Sequence, residues 1–208
     1  GRQIDATDGA VRVNGDDGFI VTGTYGSGDL IEVSGAGTRM FFNPNKAAFR
    51  AGRVTGTEWD NANIGVHSTA MGQGTTASGD YSTAMGQGTT APSGYETVIG
   101  RDNTTYVPGS TTDWNTADRL FVVGNGTGAG ALESNALTIY KDGKMNINDA
   151  YDMPTADGTP GQVMTTNGSG VLSFQLPSDN QDLSLSGNTL SLTNDATTVD
   201  LSGYMDNT

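Results

Sequence analysis

The chain has no cysteine, which excludes disulfides and thiolate metal sites and leaves its compartment open. Its one histidine, His67, comes with no nucleophile and acid that would complete a catalytic triad. Basic residues are few: 10 Lys and Arg stand against 23 Asp and Glu, a net charge of −13. Nucleic acid and anionic membrane surfaces both select for Lys and Arg, so neither is expected as a partner. No apolar run approaches the ~20 residues that span a bilayer, so no membrane insertion by this segment is expected. The start, GRQIDATDG, carries no secretory leader and reads as an entry into the middle of something longer. Apolar residues make up only 34 %, against the roughly 45–50 % of ordinary globular domains. One chain would struggle to build a thick core from that supply, and a fibrous homo-oligomer sharing a narrow core fits better.

What is present in quantity is Gly, 31 residues, with abundant Thr, Ser, Asn and Asp. Two stretches are nearly identical: HSTAMGQGTTASGD at 67–80 and YSTAMGQGTTAPSG at 81–94, with a degraded third copy, YETVIGRDNTT, at 95–105. Inside this period of fourteen lies one of seven. Thr69, Thr76, Thr83, Thr90, Thr97 and Thr104 recur on it, and so do Gly65, Gly72, Gly79, Gly86 and Gly100, with Ser93 in the one gap. A coiled coil needs apolar residues at two heptad positions. Gly costs a helix roughly 1 kcal/mol relative to Ala. The pattern therefore predicts a β-solenoid with a short strand and turn in every seven residues and two such units per coil. Strand alternation puts Met71, Met85 and Ile99 on one face and Ala70, Ala84 and Val98 on the other. Met and Ile are expected to fill the interior, and Gly72, Gly86 and Gly100 to permit a turn or close chain approach.

Either side of the repeat the chain reads as short strands separated by turns. Candidates are AVRV at 10–13, GFIVTG at 18–23, DLIEV at 29–33 and TRMFF at 38–42. Residues 106–118 form a polar insertion. RLFVVGNG at 119–126 follows, and then ALTIYKDGKMNIN at 136–148, a hairpin on Asp142–Gly143 read as a type I′ pair. In 182–203, Leu183, Leu185, Leu190, Leu192 and Leu201 alternate with polar residues, as in strands with one buried face. No helix of any length is expected.

Motifs that could carry chemistry are weak. The Asp and Asn clusters at 14–17, 142–149 and 194–200 lack the ligand spacing of an EF-hand and read as turns. GNGTGAG at 124–130 and NGSG at 167–170 are not phosphate loops, since no Lys-Ser/Thr follows. Regular Thr rows can order water, but this array is short, and Thr69 shares its face with Met71. β-propensity and ladder hydrogen bonds explain the Thr column better. His67 sits in the slot that Tyr81 and Tyr95 fill in later copies, which places it on the outer surface. Trp59, Tyr81, Tyr95, Tyr106 and Trp114 flank or interrupt the repeat. Of these, Tyr81, Tyr95, Tyr106 and Trp114 are the candidate ligand-contacting surface, for a glycan or a protein receptor. Intersubunit packing explains them equally well. No catalytic, metal-binding or cofactor-binding residue is expected.

The STAMGQGTTASGDYSTAMGQGTTA block resembles the head repeat of trimeric autotransporter adhesins. That resemblance implies a left-handed parallel β-roll packed as a homotrimer on a bacterial surface. Flanking stretches such as GAGTRMFFNPNKAAFRAGRV and PTADGTPGQVMTTNGSG resemble large repetitive surface or fibre proteins of Bacteroidetes, and are similar to segments of trimeric phage tail fibres. The expected fold is all-β, an elongated homotrimeric β-roll with flanking β-hairpin and β-prism modules. The expected parts are an N-terminal module at 1–46, the roll at 47–105, an insertion and hairpin at 106–150, a connector at 151–177 and a C-terminal strand module at 178–208. The expected role is structural and adhesive, extracellular at the cell surface, with a phage or contractile injection system tail fibre as the alternative.

Overall fold

A computed structural model describes residues 19–28, 32–177, 183–192 and 198–200. The strand candidate at 10–13, most of that at 29–33, and Leu201 lie outside them. Residues 19–23 form no strand, so the described part of the second candidate is not one. The chain divides into two compact units, one ending at Asp152 and the other beginning at Met153. Among the described residues the only helical turns are short 3-10 segments at Asn61–Asn63 and Gly130–Leu132.

The first unit contains β1 (Gly37–Asn43), β2 (Ala48–Val54), β3 (Thr69–Gln73), β4 (Thr76–Ala77), β5 (Thr83–Gln87), β6 (Thr90–Ala91) and β7 (Thr97–Arg101). These are followed by β8 (Arg119–Asn125), β9 (Asn135–Tyr140), β10 (Met145–Ile147) and β11 (Tyr151–Asp152). Nine of them form one sheet in the order β1-β2-β3-β5-β7-β8-β9-β10-β11, and β4 pairs with β6 in a second, small sheet. From β2 to β8 the pairing is parallel, and each repeat stacks in register: Thr69 on Thr83 on Thr97, Met71 on Met85 on Ile99. Antiparallel hairpins close the sheet on both sides. One coil is therefore fourteen residues, a five-residue strand on the large sheet and a two-residue strand on the small one.

The interior is lined by the small residues. Ala70, Ala84, Val98 and Val122 from the large sheet and Ala77 and Ala91 from the small one are all fully buried. The expectation that Met71, Met85 and Ile99 fill the roll is wrong: they point outward, and Met85 is 36 % exposed. Thr69, Thr83 and Thr97 share that outward face. The reason is spacing. Only Gly74 and Thr75 join β3 to β4, so the two layers cannot separate to the ~10 Å of ordinary sheet packing.

Glycine is required along the same strands. Gly72, Gly86 and Gly100 have φ of 119, 123 and 101°, values that L side chains avoid. A Cβ at Gly72 or Gly86 would also overlap the carbonyl oxygen of the glycine one coil above. The hairpin between β9 and β10 departs from the type I′ reading. Gly143 has φ of 90°, while Asp142 is not among the left-handed residues. The N–H of Tyr140 donates to the Lys144 carbonyl at 2.8 Å, leaving a three-residue loop with Gly in the left-handed position.

The second unit holds a hairpin of β12 (Val163–Thr166) and β13 (Leu172–Gln175). It also holds an antiparallel meander of β14 (Leu183–Ser186), β15 (Thr189–Leu192) and β16 (Thr198–Asp200). The alternation of Leu183 and Leu185 predicts a buried face, but both remain exposed, as does Val199.

Candidate functional site

A stack of coils ends in unpaired backbone groups, and the residues that break the repeat lie at those ends. In the first coil Arg50 occupies the interior column directly below Ala70. It is fully buried, and its guanidinium donates to the Ser68 carbonyl at 3.0 Å, the Ser68 hydroxyl at 2.8 Å and the Ala77 carbonyl at 3.0 Å. Desolvation by burial lowers its pKa to about 10. Trp59 closes the same end, fully buried, its indole N–H donating to the Thr75 carbonyl at 2.8 Å.

The far end has a buried polar cluster. Asn103 follows Thr75 and Thr89 in its column. Its side-chain amide accepts from the Thr90 N–H at 2.8 Å and donates to the Thr90 carbonyl at 3.1 Å, as a further strand would. Glu96 follows Ser68 and Ser82. Its Oε2 accepts from the Ser93 N–H at 3.1 Å and the Tyr106 hydroxyl at 3.2 Å, and Oε1 has no hydrogen-bond partner among the described residues. Burial raises the Glu96 pKa to about 7. Ser93 replaces the glycine of Gly65 and Gly79, and its hydroxyl donates to the Arg119 carbonyl at 3.2 Å and accepts from Lys141 Nζ at 3.1 Å. At Gly65 and Gly79 a Cβ would overlap a backbone carbonyl oxygen of the coil above, whereas the Ser93 side chain meets the Arg119 carbonyl at hydrogen-bond distance. Lys141 lies 4.0 Å from Asp118, and desolvation lowers its pKa.

The insertion at 106–118 is bonded to the roll along its length. The Asp80 N–H donates to the Thr111 carbonyl at 2.8 Å, and the Gly94 N–H to the Ser110 carbonyl at 3.2 Å. Asp118 accepts from the N–H groups of Gly109 at 2.6 Å and Ser110 at 3.0 Å. Tyr106 is half-buried and its polar end is occupied. Its hydroxyl serves Glu96 and also accepts from the Arg119 N–H at 3.3 Å, while the Arg119 guanidinium lies 4.3 Å from its ring centre.

The other aromatic candidates form one column. Tyr25, His67, Tyr81 and Tyr95 stack at centroid separations of 4.9, 5.0 and 4.8 Å, and Trp114 ends the column 6.0 Å from Tyr95. His67, Tyr81 and Tyr95 hold left-handed φ of 57, 60 and 65°, which costs of order 1–3 kcal/mol each. Stacking, worth about 0.5–1.5 kcal/mol per pair, offsets part of that cost. The rings are exposed at their edges, but their faces cover one another.

Sequence patterns do not single out Arg50, Glu96, Asn103, Arg119 or Lys141. For Glu96 and Asn103 a signal exists: each replaces a residue that two earlier copies keep unchanged. Arg50, Arg119 and Lys141 lie outside the repeat and have no such marker. Among the described residues no group of three or more His, Asp or Glu could hold a metal ion, and no helix is long and apolar enough to cross a membrane.

The fold and its ends define a class: a short β-roll of fourteen-residue coils, sealed at both ends by buried polar side chains. Residues 64–89 match the family described as YadA head domain repeat, in two copies, and the roll resembles the head repeats of trimeric autotransporter adhesins. No curated protein and no solved structure matches the chain.

Proposed function

We propose that this chain is a segment of a homotrimeric, surface-displayed adhesive fibre, acting as a rigid scaffold that presents binding loops and not as a catalyst. The carrying observation is the match of residues 64–89 to the YadA head repeat, in the same coils that the structure stacks in register. That match favours an adhesin over the tail-fibre alternative. The chemistry of the cluster around Glu96 supports the same reading, because Glu96 Oε2, Ser93, Tyr106 and Arg119 are bonded to one another in sealing the roll. An extracellular position and a glycan or protein receptor follow from the adhesive role.

The test combines mass and adherence. Light scattering of the purified chain should give three times 21.4 kDa. Beads coated with it should bind epithelial cells or matrix proteins above uncoated controls. A stable folded monomer, or beads that never bind, would overturn the reading.

A further inference from the structure

Asp118 directly precedes β8 and Lys141 directly follows β9. The antiparallel register that pairs Arg119 with Tyr140 sets them opposite one another, and the Lys141 N–H donates to the Asp118 carbonyl at 2.9 Å. Residues facing each other across such a pair project their side chains to the same side. Lys141 Nζ lies 4.0 Å from Asp118 Oδ2, with the two side chains only 0 % and 3 % exposed. Both Asp118 oxygens are held by backbone, Oδ1 by the Gly109 N–H at 2.6 Å and Oδ2 by the Ser110 N–H at 3.0 Å. Lys141 Nζ donates to the hydroxyl of the fully buried Ser93 at 3.1 Å, and the Trp114 ring centre is 5.6 Å away.

An ammonium has several protons to donate. Among the described residues this one makes a single hydrogen bond, to Ser93, so its burial is poorly compensated. Desolvation accordingly favours the free amine and lowers the Lys141 pKa, against the opposing pull of Asp118 and Glu96. A free amine beside a fixed carboxyl, in a site closed to water, is an acylation pair. We propose that Lys141 and Asp118 condense into an intramolecular amide that joins Nζ to Cγ and locks the β8–β9 hairpin covalently.

Condensation of the ammonium and the carboxylate forms one C–N bond, breaks one C–O bond and releases one water. A proton passes from Nζ to Oδ2, and the freed lone pair attacks Cγ. Negative charge then gathers on Oδ1, where the Gly109 N–H already points and stabilises it. The Cγ–Oδ2 bond breaks as a second proton leaves Nζ, and Oδ2 departs as water carrying both. No co-reactant is consumed. The fold contributes proximity: reacting atoms must close to about 3–3.5 Å, and a flexible lysine stem covers the difference. It also excludes the bulk water that would favour the reverse hydrolysis. The product is neutral, so the cost of holding two charges out of water disappears with them.

Mass spectrometry of the folded chain after denaturation decides it. Expected is a mass lower than that of the sequence by one water. Trypsin should then skip Lys141 and release 102–119 joined to 120–144 as one branched peptide. Lys141→Arg and Asp118→Ala should each retain the full mass of their own sequences. A parent chain still at full mass after prolonged warm incubation would overturn the proposal. So would a water deficit that survives in Lys141→Arg, because an aspartyl succinimide, as at Asp142–Gly143, loses a water as well. Cleavage after Lys141 in the lighter protein would overturn it equally, since trypsin does not cut at an acylated lysine.

Discussion

Glu96 stands where the two preceding coils carry Ser68 and Ser82, and exchanging a hydroxyl for a carboxyl makes the roll's upper end sensitive to pH. Its pKa rises from 4.5 to about 7 because burial disfavours the charged form, although Ser93, Arg119 and Tyr106 act in the opposite direction. The folded chain therefore holds a proton that the unfolded chain gives up near 4.5. The stability that Glu96 contributes is fully present below that value, falls as pH rises through about 7, and is lost above it. Each tenfold change in proton affinity is worth about 1.4 kcal/mol, so the loss amounts to about 3 kcal/mol. Glu96→Gln should abolish this slope and be the more stable protein at pH 8. Denaturant midpoints of both proteins at pH 4.5 and pH 8 check this, and parallel pH dependence in the two would refute it.

At the scale of elements, the insertion at 106–118 is hydrogen-bonded to the coil edge. Its backbone bonds to Asp80 and Gly94, and Trp114 ends the aromatic column with Lys141 Nζ 5.6 Å from its ring centre. Removing 108–116 should uncover Lys141 and the Glu96 cluster, lowering the thermal midpoint and promoting aggregation through the open end. A deletion protein that melts like its parent would show that the segment seals nothing.

The coil was legible because its period is written in identical residues, and the flanking strand at 38–42 because its apolar residues are bounded by turns. Which face pointed inward was not legible. Alternation separates Met71 from Ala70 but does not say which is buried, and residue size favoured Met. The deciding quantity was the two-residue link between β3 and β4, which sets a gap that only small side chains fit. The partners of Glu96 were hidden for a different reason. Tyr106, Arg119 and Lys141 come together through a loop and a hairpin whose register no local pattern encodes.

For the molecule as a whole, a roll whose coils contact only their neighbours should be extensible. Duplicating 67–80 adds one strand to each sheet and one ring to the aromatic column while leaving both ends unchanged. Stability in such arrays is close to a sum over units and their interfaces, so the lengthened protein should melt no lower than its parent. Differential scanning calorimetry decides it, and a lower midpoint would mean that coil number is fixed by the flanking hairpins. The same stacking has a consequence in polymer terms. Fourteen residues drawn out would reach roughly 46 Å, yet one coil advances the column by only about 4.8 Å. The chain thus gives up about nine-tenths of its contour, and in return every level is bonded to the next on two sides, so that the column behaves as a strut and not as a tether.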